Sequence, residues 1–354
     1  MRYEVFIQLV RLGINYNSKP LPIPIEWGEV KSIADQHGLT SIVLDGIDKL
    51  PTTHRPPQNI LLNWIGESLQ QELDYSIQQK ETVKIAELFH KNNIRMYILK
   101  GFIVSECYIK PNHRLSSDID CYLIPDKGDF DAWQLGNDLF RERGAYVDLG
   151  FYKNSSIYLP GLLVEIHKYL TPFRGNKKLK ALEILLQSLL HMDKGNDKFE
   201  ESYLYRPPVM VTALFLIEHA YSHFLHEGLT WRMVLDWMMF SMKHQEEIDW
   251  VDFNSCIDKF GFRKFYDSYM RLGQYLLGVL SEKTLTKIDR LMLDDIWAPL
   301  DLHETVRGIK GKLALAGNTW RARWKYRYFT EMSWITALWI QVKGFLFVKK
   351  PKLD

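Results

Sequence analysis

Residues 94–124 read IRMYILKGFIVSECYIKPNHRLSSDIDCYLI, and this stretch predicts the fold of the central part of the chain. Two runs rich in β-branched and aromatic residues, at 95–99 and 117–124, are typical of strands. Between them, at 102–109, apolar residues recur four positions apart, which predicts a helix. The order strand, helix, strand indicates the beginning of a small α+β unit.

The same periodicities divide the rest of the chain. A further helix is predicted at 129–143, followed by short strands that Gly, Pro, Asn or Asp residues delimit, at 145–149, 155–159 and 162–167. Helical patterns flank this unit, at 25–47, 60–91 and 179–281. We therefore predict an N-terminal helical region (1–94), an α+β core with a small mixed sheet (95–175), a C-terminal helical domain (176–300) and a basic aromatic tail (301–354).

Composition excludes several classes of protein. The 46% hydrophobic and 25% charged content is that of an ordinary globular protein, and no run approaches the roughly 18 apolar residues of a spanning helix. A net charge of +2 provides no strong overall attraction to nucleic acid or membranes. The three cysteines are scattered without a C-x-x-C motif, so we expect a reducing cytoplasm and no disulfide framework.

The most informative residues for chemistry are acids on the predicted strands. Asp118 and Asp120 are two positions apart, so on a strand both side chains point to one face. Two adjacent carboxylates repel each other and lose hydration unless a cation neutralises them, and Mg²⁺ is the expected cation. A third carboxylate, Glu165, lies on the later strand. If that strand pairs beside the strand of Asp118, three acids converge.

Lys100 and Gly101 directly follow the first predicted strand and precede a predicted helix. Glycine at this position lets the backbone approach a phosphate, and the N-terminus of a helix favours an anion. Lys100 adds a mobile positive charge. We therefore predict that both residues contact the phosphates of a ligand, although the pattern by itself is weak.

Several other polar residues leave two interpretations open. Arg114 is either a bidentate phosphate clamp or a solvated loop charge. His167 either orients Glu165 or contacts substrate, or it is a structural histidine. Arg232 and Asp236, four apart on a predicted helix, are either a structural pair or a wall of the active-site cleft. A zinc site is a further alternative for three histidines on one helix face, although no H-E-x-x-H motif is present: His219, His223 and His226.

The central motif resembles a family of uncharacterised bacterial nucleotidyltransferases within the DNA polymerase β-like superfamily. The resemblance rests on residues 98–124, with Leu-Lys-Gly followed by Asp-x-Asp, and on VEIH at 164–167. Residues 27–44 and the segment 216–240, LIEHAYSHFLHEGLTWRMVLDWMMF, resemble the flanking helices of that family. Together the resemblance covers about residues 20–275.

The resemblance implies a function and a set of site residues. It implies that a substrate hydroxyl attacks the α-phosphate of a nucleoside triphosphate, with Mg²⁺ or Mn²⁺ as cofactor. Asp118, Asp120 and Glu165 match the metal-binding and catalytic acids, and Glu165 is the candidate general base. The nucleotide-contacting candidates are Lys100, Gly101, Arg114 and His167. Lys100-Gly101 stands where the wider superfamily has a Gly-Ser motif that holds the triphosphate.

The acceptor is not evident from the sequence, and we expect a hydroxyl of a small molecule or of a protein. An alternative is a catalytically silent nucleotide-binding or interaction module with the same fold, against which the three intact acids argue. A third interpretation is an enzyme acting on nucleic acid. It is disfavoured because the core has no basic stripe with interleaved aromatics.

The tail has a composition of its own. Eleven Lys or Arg residues and one acid, Glu331, lie between 307 and 352. Residues 320–352 interleave these cations with aromatic side chains, and 333–348 are apolar on nearly every side. The simpler interpretation is a final helix docked on the helical domain. The alternative is peripheral contact with an anionic membrane or with a protein partner.

Overall fold

The computed structural model describes residues 2–22, 24–195, 197–199, 201–298, 320, 322–331 and 333–336. It confirms an α+β core with a mixed sheet between helical regions. The N-terminal region comprises α1 (Arg2–Gly13), α2 (Trp27–Gln36), α3 (Thr40–Asp48) and α4 (Gln58–Lys91).

The single helix predicted at 25–47 is wrong, because the structure has two helices there. The chain turns between α2 and α3 at Gly38, whose φ of +65° lies in the left-handed region. Glycine adopts this conformation without the steric penalty that a side chain imposes. An isolated glycine within a helical periodicity does not by itself predict a break between two helices.

The sheet has six strands in the order β3-β4-β5-β2-β1-β6. Their bounds are β1 (Ile94–Ile98), β2 (Asp118–Pro125), β3 (Tyr146–Asp148), β4 (Asn154–Leu159), β5 (Leu162–His167) and β6 (Leu204–Tyr205). β2 pairs with β5 in parallel and β1 with β6 in parallel, while the other neighbours are antiparallel. β6 was not predicted, because two residues are too few to show an alternation.

Two helices connect strands of the core, α5 (Phe102–Ser105) and α6 (Ala132–Arg141). The predicted helix at 102–109 ends early, after one turn. The chain then approaches Pro111, and a proline disfavours helical backbone at the residue before it. Because α5 is so short, the predicted contribution of a helix N-terminus to anion binding is small.

The C-terminal region contains α7 (Lys177–Met192), α8 (Val209–His226), α9 (Trp231–Lys243), α10 (Trp250–Lys259), α11 (Arg263–Leu276), α12 (Lys287–Trp297) and α13 (Arg323–Phe329). Turns at Gly228 and Gly261, with φ of +106° and +82°, interrupt the helical pattern at 179–281. The three boundaries that we drew between the four regions of the chain stay a prediction.

The two faces of the sheet pack against different helices. Ile119, Cys121 and Leu123 of β2 share a core with α4 and α6. Tyr122 and Ile124, on the other face, belong to a larger core that includes the N-terminal and C-terminal helices. Side chains alternate along a strand, so Asp118 and Asp120 share the face of Tyr122. The predicted site therefore lies between the sheet and the helical region.

Two glycines allow α1 and α3 to cross closely. A Cβ atom on Gly46 would overlap the carbonyl oxygen of Leu9, and one on Gly13 would overlap that of Ile42. This contact joins the first helix of the chain to the N-terminal core.

The first part of the predicted tail docks on the helical region. In α13, Lys325 Nζ lies 2.7 Å from Asp295 Oδ2 and donates to the carbonyl of Phe224, while Phe329 is buried. Residues 337–354, which include most of the predicted final helix, lie outside the described residues, so the membrane hypothesis stays open. Within the described chain, no helix combines the length and apolarity required to traverse a bilayer.

Candidate active site

The acidic residues predicted from the sequence meet on two adjacent strands. β2 and β5 run in parallel with Asp118 opposite Leu163, Asp120 opposite Glu165 and Tyr122 opposite His167. Asp120, Glu165 and His167 each offer a ligand atom within 4.8 Å of the other two, and within the described ranges no other such group of three His, Cys, Asp or Glu residues occurs. Asp118 lies outside this trio, on the same face and at a more exposed position.

His167 is buried and lies with one ring nitrogen against Asp120. Its Nε2 is 2.8 Å from Asp120 Oδ1, and its Nδ1 is 3.3 Å from the carbonyl oxygen of Tyr169. Burial lowers the pKa of His167 more than Asp120 raises it, so the ring is neutral near pH 7. Asp120 accepts a hydrogen bond from this ring, so the neutral tautomer carries its proton on Nε2 and its lone pair on Nδ1.

Lys100 lies at the end of β1, between the two aspartates. The backbone N–H of Leu99 donates to the carbonyl of Asp120 at 2.9 Å, which brings the next residue to this face of the sheet. Lys100 Nζ is 2.9 Å from Asp120 Oδ2 and 3.5 Å from Asp118 Oδ2. Burial acts to lower the pKa of Lys100, but Asp120 and Asp118 outweigh it and raise the pKa, so the ammonium stays charged.

Two of the carboxylates differ in their affinity for protons. Burial acts to raise the pKa of Asp120, but Lys100 and His167 outweigh it and lower the pKa. For Glu165, the positive charges of Lys100 and Lys153 do not outweigh burial. Burial and then the charges of Asp120 and Asp118 raise its pKa to about 7, and Ser156 Oγ donates to its Oε1 at 3.5 Å. Asp120 is therefore ionised while Glu165 exchanges a proton near neutral pH.

Arg114 forms a buried ion pair with Asp236. Its Nε donates to Asp236 Oδ1 at 2.7 Å and its Nη2 donates to Oδ2 at 2.8 Å, in a bidentate pair that is buried on both sides. Tyr108 donates its hydroxyl to the same Oδ1 at 2.6 Å. Arg114 is thus bound to a carboxylate, and the described geometry does not provide it with the free guanidinium that a phosphate clamp requires.

A cavity of about 170 Å³ opens beside Asp118, between the sheet and helices α8 and α9. Lys100, Gly101 and Asp118 line it from the core, and Arg232 and Asp236 line it from α9. The two α9 residues therefore form part of the cleft wall as well as a pair. Gly101 has φ of +69°, so the turn after β1 uses the conformational freedom of glycine.

The three histidines of α8 do not come together as a zinc site in the described chain. His219 packs its ring on Phe215 and against His223, and His223 Nδ1 pairs with Glu227 Oε2 at 2.8 Å. His219 and His223 both line the cavity. Burial lowers the pKa of His219 well below its usual value, so its ring there is neutral.

Sequence reasoning missed two residues that support the site. Tyr108 holds Asp236, and Ser156 contacts Glu165 from the neighbouring strand β4. Tyr108 carried no signal, because its partner lies 128 residues away. Ser156 lies in a predicted strand, but only the register between β4 and β5 places it opposite Glu165.

No curated protein matches the chain, and no solved structure does either. Residues 24–278 match a family model described as an uncharacterised nucleotidyltransferase, which covers more than half of the chain and includes both strands of the acidic cluster and helices α8 and α9. The chain therefore belongs to this family of nucleotidyltransferases.

Proposed function

We propose that this protein transfers a nucleoside monophosphate from a nucleoside triphosphate to a hydroxyl group of a small molecule or a protein. The observation that carries the proposal is the convergence of Asp120, Glu165 and His167 within 4.8 Å on adjacent parallel strands. Membership of the nucleotidyltransferase family supports the reaction class. We also infer that the core is that of the DNA polymerase β-like superfamily, as the Asp-x-Asp strand followed by a third acid suggests.

The residues at this site fit a divalent metal, Mg²⁺ or Mn²⁺. Carboxylate oxygens of Asp120 and Glu165 and a ring nitrogen of His167 lie within 4.8 Å of one another, so the donor atoms converge on one point. Oxygen donors suit Mg²⁺ and Mn²⁺. Asp118, Asp120 and Glu165 would hold the metal, with His167 beside them. When bound, such an ion neutralises charge on the triphosphate and orients it.

The residues of the chain itself have separate roles in this proposal. The hydroxyl oxygen of the acceptor forms a bond to the α-phosphorus, the bond from that phosphorus to the bridging oxygen breaks, and pyrophosphate leaves. Glu165, whose side chain is less buried than that of Asp120, is the acid that accepts the hydroxyl proton. Lys100 and Gly101 lie where the phosphates of the donor would pass, and His167 orients Asp120 through its 2.8 Å contact.

One observation favours a second candidate function. Lys100 already supplies a positive charge between Asp118 and Asp120. A cation fixed in that position makes a metal dispensable, and the protein would then be a silent nucleotide-binding or interaction module. The two candidates differ in what Lys100→Ala does. In an active enzyme the variant weakens triphosphate binding and still binds Mg²⁺, whereas in a silent module the variant gains Mg²⁺ binding that the parent lacks.

The central test is substitution of the acids. We expect Asp120→Asn to weaken Mg²⁺-dependent binding of nucleoside triphosphates by about 100-fold or more and to abolish transfer of the labelled α-phosphate. Titration calorimetry with each of the four triphosphates, with Mg²⁺ or with a chelator, measures the first effect. Asp126→Asn, just past the other end of β2, is the matched control and should bind as the parent does. Unchanged binding in folded Asp120→Asn protein would contradict the proposal.

A further inference from the structure

The wall of the cavity opposite Lys100 contains two arginines and one acid. Lys100 faces Asp118 and Asp120, and is therefore neutralised. On the opposite wall, Arg114 and Arg232 share one carboxylate, that of Asp236, whose two oxygens are already engaged by Arg114. One guanidinium of this wall is in excess.

The guanidinium in excess is that of Arg232. Its one ion pair is the 3.7 Å contact from Nη1 to Asp236 Oδ2, beyond hydrogen-bond distance, and we find no hydrogen bond from its side chain to the described residues. About a quarter of the side chain is exposed, towards the cavity. Burial and then the charge of Arg114 lower the pKa of Arg232, which means that the protein stabilises this cation poorly by itself. An anionic ligand would supply the missing negative charge.

The position of Arg232 is held by the N-terminal region. A Cβ atom at Gly38, in the turn between α2 and α3, would lie 3.0 Å from Arg232 Nε and 3.3 Å from its Cδ. The side chain thus passes directly over a glycine backbone. Three parts of the chain therefore meet at this guanidinium: the α2–α3 turn, helix α9, and the loop that carries Arg114.

We propose that Arg232, opposite Lys100, binds the phosphate tail of the nucleotide donor, with Arg114 and Asp236 as positioning residues beneath it. This inference rests on the proposed function and identifies how the tail is bound. The cavity of about 170 Å³ is smaller than the roughly 300–1,000 Å³ of a site that encloses a whole organic ligand, so it suits a phosphate group better than a nucleoside. A guanidinium also matches phosphate oxygens with two parallel donors.

The test compares ligands that differ in their phosphates. Inorganic tripolyphosphate, each nucleoside triphosphate and each monophosphate are titrated into the parent, Arg232→Gln and Arg232→Lys, with and without Mg²⁺. We expect Arg232→Gln to weaken binding of tripolyphosphate and of the preferred triphosphate by about 10- to 100-fold and binding of the monophosphate by less than about 3-fold. Arg232→Lys keeps the charge and should recover part of the loss. Arg263→Gln, a surface arginine paired with Asp258, is the control and should change nothing.

The outcomes distinguish failure of the role of Arg232 from failure of the proposed function on which it rests. Equal losses for triphosphate and monophosphate, or no loss, would overturn the role of Arg232. If Asp120→Asn abolishes Mg²⁺-dependent nucleotide binding while Arg232→Gln has no effect, the proposed function stands and this inference fails. If the parent binds tripolyphosphate through Arg232 but no nucleotide, the anion site stands and the proposed function fails. A parent that binds neither ligand contradicts both.

Discussion

Replacing Asp236 with asparagine removes one negative charge from a buried cluster and leaves its shape unchanged. The parent carboxylate accepts from Arg114 at 2.7 and 2.8 Å and from the Tyr108 hydroxyl at 2.6 Å, and it lies 3.7 Å from Arg232. The asparagine side chain has one acceptor oxygen and no charge. Two guanidinium groups would then lack a counter-charge at a site that solvent hardly reaches.

The expected loss of stability is large because the pair is buried. Burial acts to lower the pKa of Arg114, but Asp236 outweighs it and raises the pKa, so Asp236 offsets the cost of burying this cation. Removing one member of a buried ion pair costs about 3–5 kcal/mol. With a urea m-value on the order of 3 kcal/mol per M, the unfolding midpoint of Asp236→Asn should fall by about 1 to 1.7 M.

The assay is urea unfolding followed by tryptophan fluorescence, with a matched control at the surface. Asp258 makes the same kind of bidentate pair, with Arg263 Nε at 2.7 Å and Nη2 at 3.2 Å, but its side chain is 63% exposed. Asp258→Asn should therefore shift the midpoint far less. If the two variants lower the midpoint equally at the same m-value, burial does not determine the strength of the Asp236 cluster and the reasoning is refuted.

Two further predictions concern the N-terminal helices and a residue that contacts them. Burial acts to lower the pKa of His113, but hydrogen bonds to Asp45 and Glu72 outweigh it and raise the pKa. The contribution of His113 to the free energy of unfolding is therefore full below pH 6.5 and is lost as pH rises through the pKa of His113 in the folded protein. His113→Gln should consequently cost on the order of 1 kcal/mol at pH 5.5 and much less at pH 9, whereas a loss independent of pH would argue for packing alone. Gly46→Ala should destabilise by about 2–3 kcal/mol in thermal or urea unfolding, because its Cβ would overlap a backbone carbonyl of α1. A Cβ atom at Gly66 in α4 would have no neighbour within 4 Å, so Gly66→Ala should stabilise the protein by up to about 1 kcal/mol. If Gly46→Ala and Gly66→Ala change the free energy of unfolding in the same direction, the close crossing of α1 and α3 is contradicted.

The elements of the core were readable from the sequence because they depend on local patterns. The alternation of apolar and polar residues identified β2 and β5 to within a residue of their observed bounds. Helices α8 to α11 lie within the helical pattern predicted at 179–281. The same alternation placed Asp118 and Asp120 on one face, since the direction of a side chain on a strand follows from its position alone. Elements without a period of their own, such as the two-residue strand β6, left no such signal.

The arrangement of charges around the site was decided by the tertiary structure. The sequence indicated that Arg114, Lys100 and the acids are polar and near each other in the chain. It left open whether Arg114 binds phosphate and whether Arg232 is part of the active-site cleft. The structure pairs Arg114 with Asp236, 122 residues later, and leaves Arg232 facing the cavity. The order of residues along the chain determines which way a side chain points from its own backbone. Its counter-ion depends on which distant elements pack against it, and here that is the packing of α9 and the α2–α3 turn over one face of the sheet.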